Sequence, residues 1–275
     1  MSKTDRLSLG DRMKSYERVW TQTLPMRMPL IIRLDGKAFH SYTTHAEKPF
    51  DDHLMKVLDE TTQILMKEIS GAMIAYVQSD EVSILVNSYR NHEELPWFAN
   101  ELPKILSVSA GMMSAHFTAK SYQIWQKNSE MIESIKKTYP EDQRNGVLIS
   151  DLYRPAVFDS RAFVMPENDV SNYFLWRQRD CIRNSINTVA REYFSQKQLF
   201  KKSTDEVKKM LLEKDVDLDD QEAWEPYYTR GRCIFRTPSQ ISDNVYRNVL
   251  SVDRKIPVFS ENRDYINRFL SMKDE

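Results

Sequence analysis

A short apolar run, Pro29-Leu30-Ile31-Ile32-Arg33-Leu34, ends abruptly in Asp35-Gly36. Such a run, bounded by turn residues, reads as a buried strand that delivers a carboxylate to the sheet edge, where the chain must turn. Further on, the β-rich runs Met73-Ile74-Ala75-Tyr76-Val77 and Val82-Ser83-Ile84-Leu85-Val86 flank a polar tip, Gln78-Ser79-Asp80-Glu81. That is the pattern of a hairpin whose turn carries adjacent acids. Enough chain separates Asp35 from Asp80 for a crossover helix and a return strand. Strand-end carboxylates brought together this way make a hard oxygen site suited to Mg²⁺. Taken singly, each motif is more often a plain turn or a solvated tip. In this order, on a β-α-β-β pattern, they point to a site.

The 275 residues suit one large domain, or one domain with an appendage, and 41% hydrophobic content supports a real core. With a net charge of −1 and a pI near 6.6, a nucleic-acid partner needs a local basic face. Cys181 and Cys233 have no metal-type spacing, which suits a reducing, cytoplasmic setting. The stretch Met1–Arg6 has no signal-type apolar region and no run approaches bilayer length, so no membrane association is expected. Neither a Rossmann fingerprint nor a Walker loop occurs. Nucleotide handling would therefore fall to metal and side chains.

Residues 9–24 read as an amphipathic helix with Met13, Tyr16 and Trp20 on one side, a surface brace. After the strand at 29–34, Asp51 or Asp52 caps a helix with Leu54, Leu58, Leu65 and Ile69 in helical period. Ser70-Gly71 ends it, and the hairpin fills 72–87. A helix at roughly 97–125, a loop at 139–146 and a strand at 156–165 complete β-α-β-β-α-β, the split βαβ arrangement. Past Pro166, a helix starting at Asp169 or Ser171 runs to about Gln196, with Leu175, Ile182, Ile186, Val189 and Tyr193 as its apolar stripe. Arg177, Asp180, Asn184, Asn187 and Arg191 share a second, polar face of the same helix, a candidate substrate surface. Ser203 and Glu206 form a capping box for a helix at Thr204 to Leu212. The expected fold is α+β: a catalytic region at 1–165 built on an antiparallel sheet, with a helical and irregular C-terminal region at 166–275 packed on it. Residues 233–275 carry no clear pattern.

With these pieces in order, the sequence resembles the tRNA-His guanylyltransferase superfamily, enzymes that add nucleotides to RNA 5′ ends in the 3′-to-5′ direction. The matches are Ile32-Arg33-Leu34-Asp35-Gly36-Lys37-Ala38-Phe39-His40, Glu47-Lys48-Pro49-Phe50-Asp51 and Ala75-Tyr76-Val77-Gln78-Ser79-Asp80-Glu81-Val82-Ser83. Trp176-Arg177-Gln178-Arg179-Asp180-Cys181 and Arg230-Gly231 follow in the family's order. The resemblance implies a ferredoxin-like polymerase palm with two Mg²⁺ ions. Asp35 and Asp80 would supply carboxylates and Gly36 its carbonyl, with Glu81 alongside. Lys37, Ala38 and Phe39 would wrap the triphosphate of ATP, GTP or another nucleoside triphosphate; His40, Lys48 and Ser79 match further contacts. It also implies a tRNA substrate and a homotetramer.

Eukaryotic guanylyltransferases of this superfamily continue Asp-Cys with His-Ile-Asn-Asn, whereas this chain reads Ile182-Arg183-Asn184-Ser185-Ile186. That departure resembles the guanylyltransferase-like branch associated with templated repair of truncated tRNA 5′ ends. Arg177, Asp180, Arg183, Asn184 and Arg191 are the candidates for RNA contact. A dedicated guanylyltransferase adding G at position −1 is the nearest alternative. A palm-type nucleotide cyclase would need no RNA groove, and a non-catalytic RNA-binding module would show exposed sheet aromatics, which these strands lack.

Overall fold

The computed structural model describes residues 7–44, 46–89, 94–127, 154–242 and 245–270. The loop expected at 139–146 lies outside these residues. Strands β1 (Leu30–Gly36), β2 (Ala72–Gln78), β3 (Glu81–Val86), β4 (Phe158–Val164), β5 (Arg232–Ser242) and β6 (Val245–Asp253) form one sheet in the order β4-β1-β3-β2-β5-β6. Every neighbouring pair is antiparallel. The first four reproduce the expected split βαβ order. Strand β1 reads as an apolar run broken only by Arg33 because both its faces are covered: Leu30, Ile32 and Leu34 enter one core layer and Ile31 the other.

Helices α3 (Asp52–Glu68) and α4 (Leu102–Lys127) cover the first face, with Leu58, Leu65, Met66, Ile105, Met113 and Phe117 packed on β1 and β3. A shorter helix, α2 (Phe39–Tyr42), follows β1. Asp51 is the cap of α3: one carboxylate oxygen accepts the Leu54 N–H at 2.9 Å, the other the Glu47 N–H at 3.0 Å. Helix α4 starts later than position 97 because Phe98, Ala99 and Asn100 have positive φ, which an α-helix cannot continue. Its hydroxyls hold the edge strand. Ser114 Oγ accepts the Phe158 N–H and Thr118 Oγ1 the Ala156 N–H, both at 3.0 Å.

Helix α5 (Glu167–Tyr193) crosses the opposite face. It begins earlier than Asp169, because Pro166 sits at the cap position and needs no N–H there. Val170, Tyr173 and Phe174 pack against Ile31, Ile74, Tyr76 and Leu85. Its second half, through Ile186 and Val189, packs against Val207 and Leu211 of the helix Thr204–Leu212, which carries the expected Ser203–Glu206 capping box.

Two further expectations change. Helix α1 (Leu9–Glu17) buries none of its residues, and Tyr16 and Trp20 are 66% and 78% exposed, so it braces nothing among the described residues. The C-terminal region is not only helical and irregular: β5 pairs with β2 and β6 with β5, which widens the sheet from four strands to six. Arginines interrupt the apolar pattern of strand β5; Arg232 is buried, whereas Arg236 is exposed and caps neighbouring carbonyls. Arg232 ion-pairs with Asp59, while Arg236 donates to the carbonyls of Ala72 at 2.8 Å and Met66 at 3.0 Å.

Candidate active site

Antiparallel register brings four polar side chains into one row across the strand ends. Gln78 faces Glu81, Glu81 faces Asp35, and Asp35 faces Asp159. One step back along the same face, the row reads Ser83, Arg33, Arg161. Asp80 sits at the hairpin tip, where Ser79 takes a positive φ, and its carbonyl accepts the Gly36 N–H at 3.1 Å. The two motifs read from sequence therefore meet through a backbone hydrogen bond.

Gly36 has a packing reason to be glycine. A Cβ there would lie well inside contact distance of the Phe39 ring. That ring is wedged at 5.0–5.3 Å from Tyr42, Phe117 and Phe158. We expect Gly36→Ala to destabilise the protein by about 1–3 kcal/mol, the usual range for overpacking, with part of the loss recovered by adding Phe39→Leu. Urea denaturation checks this; wild-type stability for the single variant would mean that the ring moves aside freely.

Glu81 is fully engaged. Its carboxylate takes Arg33 at 2.6 Å and Arg177 at 2.8 Å, and accepts from Gln78 at 3.2 Å. Burial raises its carboxyl, and Arg177 and Arg33 oppose that rise. Arg33 also reaches Asp35 at 3.4 Å. Glu81 thus anchors the arginines beside Asp35. Among the described residues, no group of three His, Cys, Asp or Glu is arranged to hold a metal. With Glu81 occupied, the available donors are the carboxylates of Asp35 and Asp80 and the carbonyl of Gly36. That partial set suits Mg²⁺, which keeps several waters and completes its shell with substrate phosphates. Asp80 also fits a cation: burial raises its carboxyl, and like charges at Asp35 and Glu81 raise it further.

Two clefts adjoin these acids. One, of about 450 Å³, is lined by Ser79 and Asp80, by Phe39, His40 and Lys48, and by Asn184 and Arg191 of α5. The other, of about 320 Å³, is lined by Asp35, Gly36, Lys37 and Asp159. Ala38 joins them through a left-handed turn with φ 53°. The first cleft is walled by Tyr227, Tyr228 and Arg232 from the C-terminal region; Phe50 stacks on Tyr228 at 4.9 Å. Sequence reading missed these walls. It also missed Arg33 and Asp159: period-two alternation puts Arg33 beside Asp35, but Asp159 needed the strand register.

The polar face of α5 divides. Asn184 and Arg191 reach the cleft, and Arg183 is exposed and paired with Asp180. Arg177 is not on an RNA-facing surface: its side chain is 4% exposed and ion-paired with Glu81 and with Asp180 at 3.1 Å. Its ion pairs with Glu81 and Asp180 offset the cost of desolvating it. Asp180 is occupied by Arg177 and Arg183 in turn. Cys181 and Cys233 are buried. Burial raises both thiols, that of Cys181 to about 12, so neither is a nucleophile at neutral pH.

A tRNAHis guanylyltransferase family model matches residues 10–166. A bacterial tRNA(His) guanylyltransferase-like protein, solved in complex with ATP, is 35% identical with a TM-score of 0.76, covering 96% of this chain and 99% of that one. A complex of such a protein with GTP gives 34% identity and 0.70 over the same shares. An uncharacterized protein of Acanthamoeba polyphaga mimivirus is 26% identical over 260 residues, 90% of this chain and 83% of its own. The tRNA(His) guanylyltransferase of Debaryomyces hansenii is 32% identical over 164 residues, 58% of this chain and 52% of that protein. This chain thus spans about half the length of that enzyme. The matched region holds β1, the hairpin and β4, the elements that carry the acid row, and the chain belongs to the tRNAHis guanylyltransferase family.

Proposed function

We propose that this protein is a nucleotidyltransferase that extends the 5′ end of truncated tRNA in the 3′-to-5′ direction, copying the opposite strand. The observation that carries this reading is the pair of clefts that meet at Asp35-Gly36 and Asp80, one lined by cationic and amide groups and one open at the sheet edge. Two substrates can approach from separate sides, one through the cleft that reaches Asp80 and the other through the cleft that reaches Asp35. Family membership supports the reaction class, since its members are tRNA guanylyltransferases, and the ATP and GTP complexes of bacterial relatives support the nucleotide substrates. A homotetramer belongs to the same reading; exposed apolar side chains on α1, such as Leu9 and Tyr16, offer it a surface.

A 5′-monophosphate end is first activated: its phosphate oxygen attacks the α-phosphorus of ATP and pyrophosphate leaves. The 3′-hydroxyl of the incoming nucleotide then attacks the adenylylated 5′ phosphorus, and AMP leaves. A 5′-triphosphate end skips the first step and releases pyrophosphate in the second. Asp35, Asp80 and the Gly36 carbonyl would hold two Mg²⁺ ions, which when bound neutralise phosphate charge and favour the ionised hydroxyl. Lys48 and Arg191 supply cationic charge to the triphosphate cleft, and the turn supplies the backbone N–H groups of Ala38 and Phe39, that of Lys37 being held by the Val157 carbonyl at 2.8 Å. Arg33 and Arg177 hold Glu81 in ion pairs, which leaves Asp80, and Asp35 with its longer 3.4 Å contact to Arg33, as the carboxylates that face the substrates. Reaction then depends on positioning and electrostatics rather than on a covalent enzyme intermediate.

Ile182 stands where the eukaryotic enzymes carry histidine, and it packs with the Ile186 and Val189 core. An isoleucine cannot hydrogen-bond, so selection passes to pairing with the template. The test is a set of tRNAs lacking the first nucleotide and differing only in the base opposite the gap, with ATP, all four nucleoside triphosphates and Mg²⁺. The Watson–Crick complement is expected in each case. Guanosine added whatever the template base would replace this reading with the dedicated guanylyltransferase, and no extension of any tRNA would refute both.

A further inference from the structure

We infer that Trp176 is a stacking platform for the unpaired template base of the RNA, flanked by Arg179 and Arg183 as phosphate contacts. This rests on the proposed action at a recessed tRNA 5′ end. Trp176 is 54% exposed on α5, although its neighbours Leu175 and Arg177 are buried. The Arg177 guanidinium lies over one side of the indole, 3.8 Å from the ring centroid, and the edge of Tyr173 stands 5.9 Å away. The ring is therefore held in a fixed orientation while much of it remains in solvent. A rigid indole with one face free suits the end of a base stack rather than a sandwich between bases.

Its position ties it to the chemistry. The guanidinium beneath the ring is the one that grips Glu81 at 2.8 Å, and Glu81 is the cross-strand partner of Asp35. Two contacts thus connect the indole to the acid row. Arg179 and Arg183 follow Trp176 at i+3 and i+7, on the same flank of the helix. Both are exposed, and Arg179 has no ion pair among the described residues. An exposed aromatic interleaved with arginines is the composition that recognises unpaired RNA: the ring takes a base face and the guanidinium groups take phosphates. Arg179 thereby takes the role that the sequence alone suggested for Arg177.

The test uses the full-length protein and a 3′-labelled tRNA lacking its first nucleotide, in two forms: intact, and with an abasic residue at the template position. Equilibrium binding at fixed salt is measured for wild type, Trp176→Ala and Trp176→Phe. We expect Trp176→Ala to weaken binding of intact RNA by about 5- to 150-fold, the usual worth of one stacked base, and Trp176→Phe to retain most of the affinity. The abasic RNA should bind wild type about as weakly as intact RNA binds Trp176→Ala, and Trp176→Ala should lose little more with it. Arg179→Gln should weaken both RNAs equally and lower the slope of log K against log salt by about one phosphate contact. Equal affinity of Trp176→Ala and wild type, or losses from the variant and the abasic residue that simply multiply, would overturn the stacking role. Where wild type extends truncated tRNA, that outcome leaves the proposed reaction standing. Where wild type neither binds nor extends it, both readings fall. Trp176 is half exposed, so the fold should survive its truncation, and matched thermal melts establish that each variant is folded.

Discussion

If Asp80 holds metal as proposed, Asp80→Ala is expected to lower nucleotide addition by at least about 10³-fold, because losing a ligand of a catalytic metal forfeits several kcal/mol of transition-state charge stabilisation. Asp80 sits at the β2–β3 tip with its carbonyl bound to the Gly36 N–H at 3.1 Å; truncating its side chain leaves that link in place, so the fold should persist. Burial, then the neighbouring Asp35 and Glu81 charges, raise its carboxyl above the usual range. The folded metal-free protein therefore holds this proton more tightly than the unfolded chain does. Its contribution to stability is present below the ordinary carboxylate range and is lost as pH rises through the raised value. Asp80→Asn removes that loss, so in EDTA at neutral pH the variant should melt higher than wild type, with the gap closing in acid. Added Mg²⁺ and nucleotide should stabilise wild type and not the variant. Near wild-type turnover by Asp80→Ala would sink the metal assignment.

The largest stability effect is expected at Arg232→Ala. Arg232 is 1% exposed and Asp59 3%, and the Arg232 guanidinium also donates to the Met55 carbonyl at 3.0 Å. Removing one partner of a buried pair leaves an uncompensated charge, which costs about 3–5 kcal/mol. The low end applies here, because Arg254, 3.7 Å from Asp59, retains part of the compensation. Asp59 is already raised by burial, and both arginines oppose the rise. Without Arg232 its carboxyl moves up further. The deficit should be greatest at neutral pH and shrink as Asp59 takes up a proton on acidification. Adding Asp59→Asn should recover part of it. Because Arg232 also lines the larger cleft, nucleotide binding should weaken together with stability. Urea denaturation at pH 7.5 and pH 5 checks the sign; a loss below about 1 kcal/mol at pH 7.5 would show that Asp59 is not left uncompensated when Arg232 is removed.

What was legible in the sequence is what local periodicity encodes. The apolar run ending at Asp35, the two runs around Asp80 and the Asp51 and Ser203 caps each specify backbone hydrogen bonding within a few residues. Together they specified β1, the hairpin, α3 and the split βαβ order. Other features depended on contacts between residues distant in the chain. Register across two strand pairs put Asp159 beside Asp35. Packing of α5 on the open sheet face carried Arg177 to Glu81, 96 positions away in sequence, and left Trp176 and Arg179 outside. Arg232 broke the apolar pattern of β5, which concealed the strand; 173 positions away, Asp59 makes its burial tolerable. Helix and strand periods follow from the chain's own geometry and can be read one segment at a time. Which charges are paired and which stay free is decided by desolvation, and desolvation exists only once distant segments have packed together.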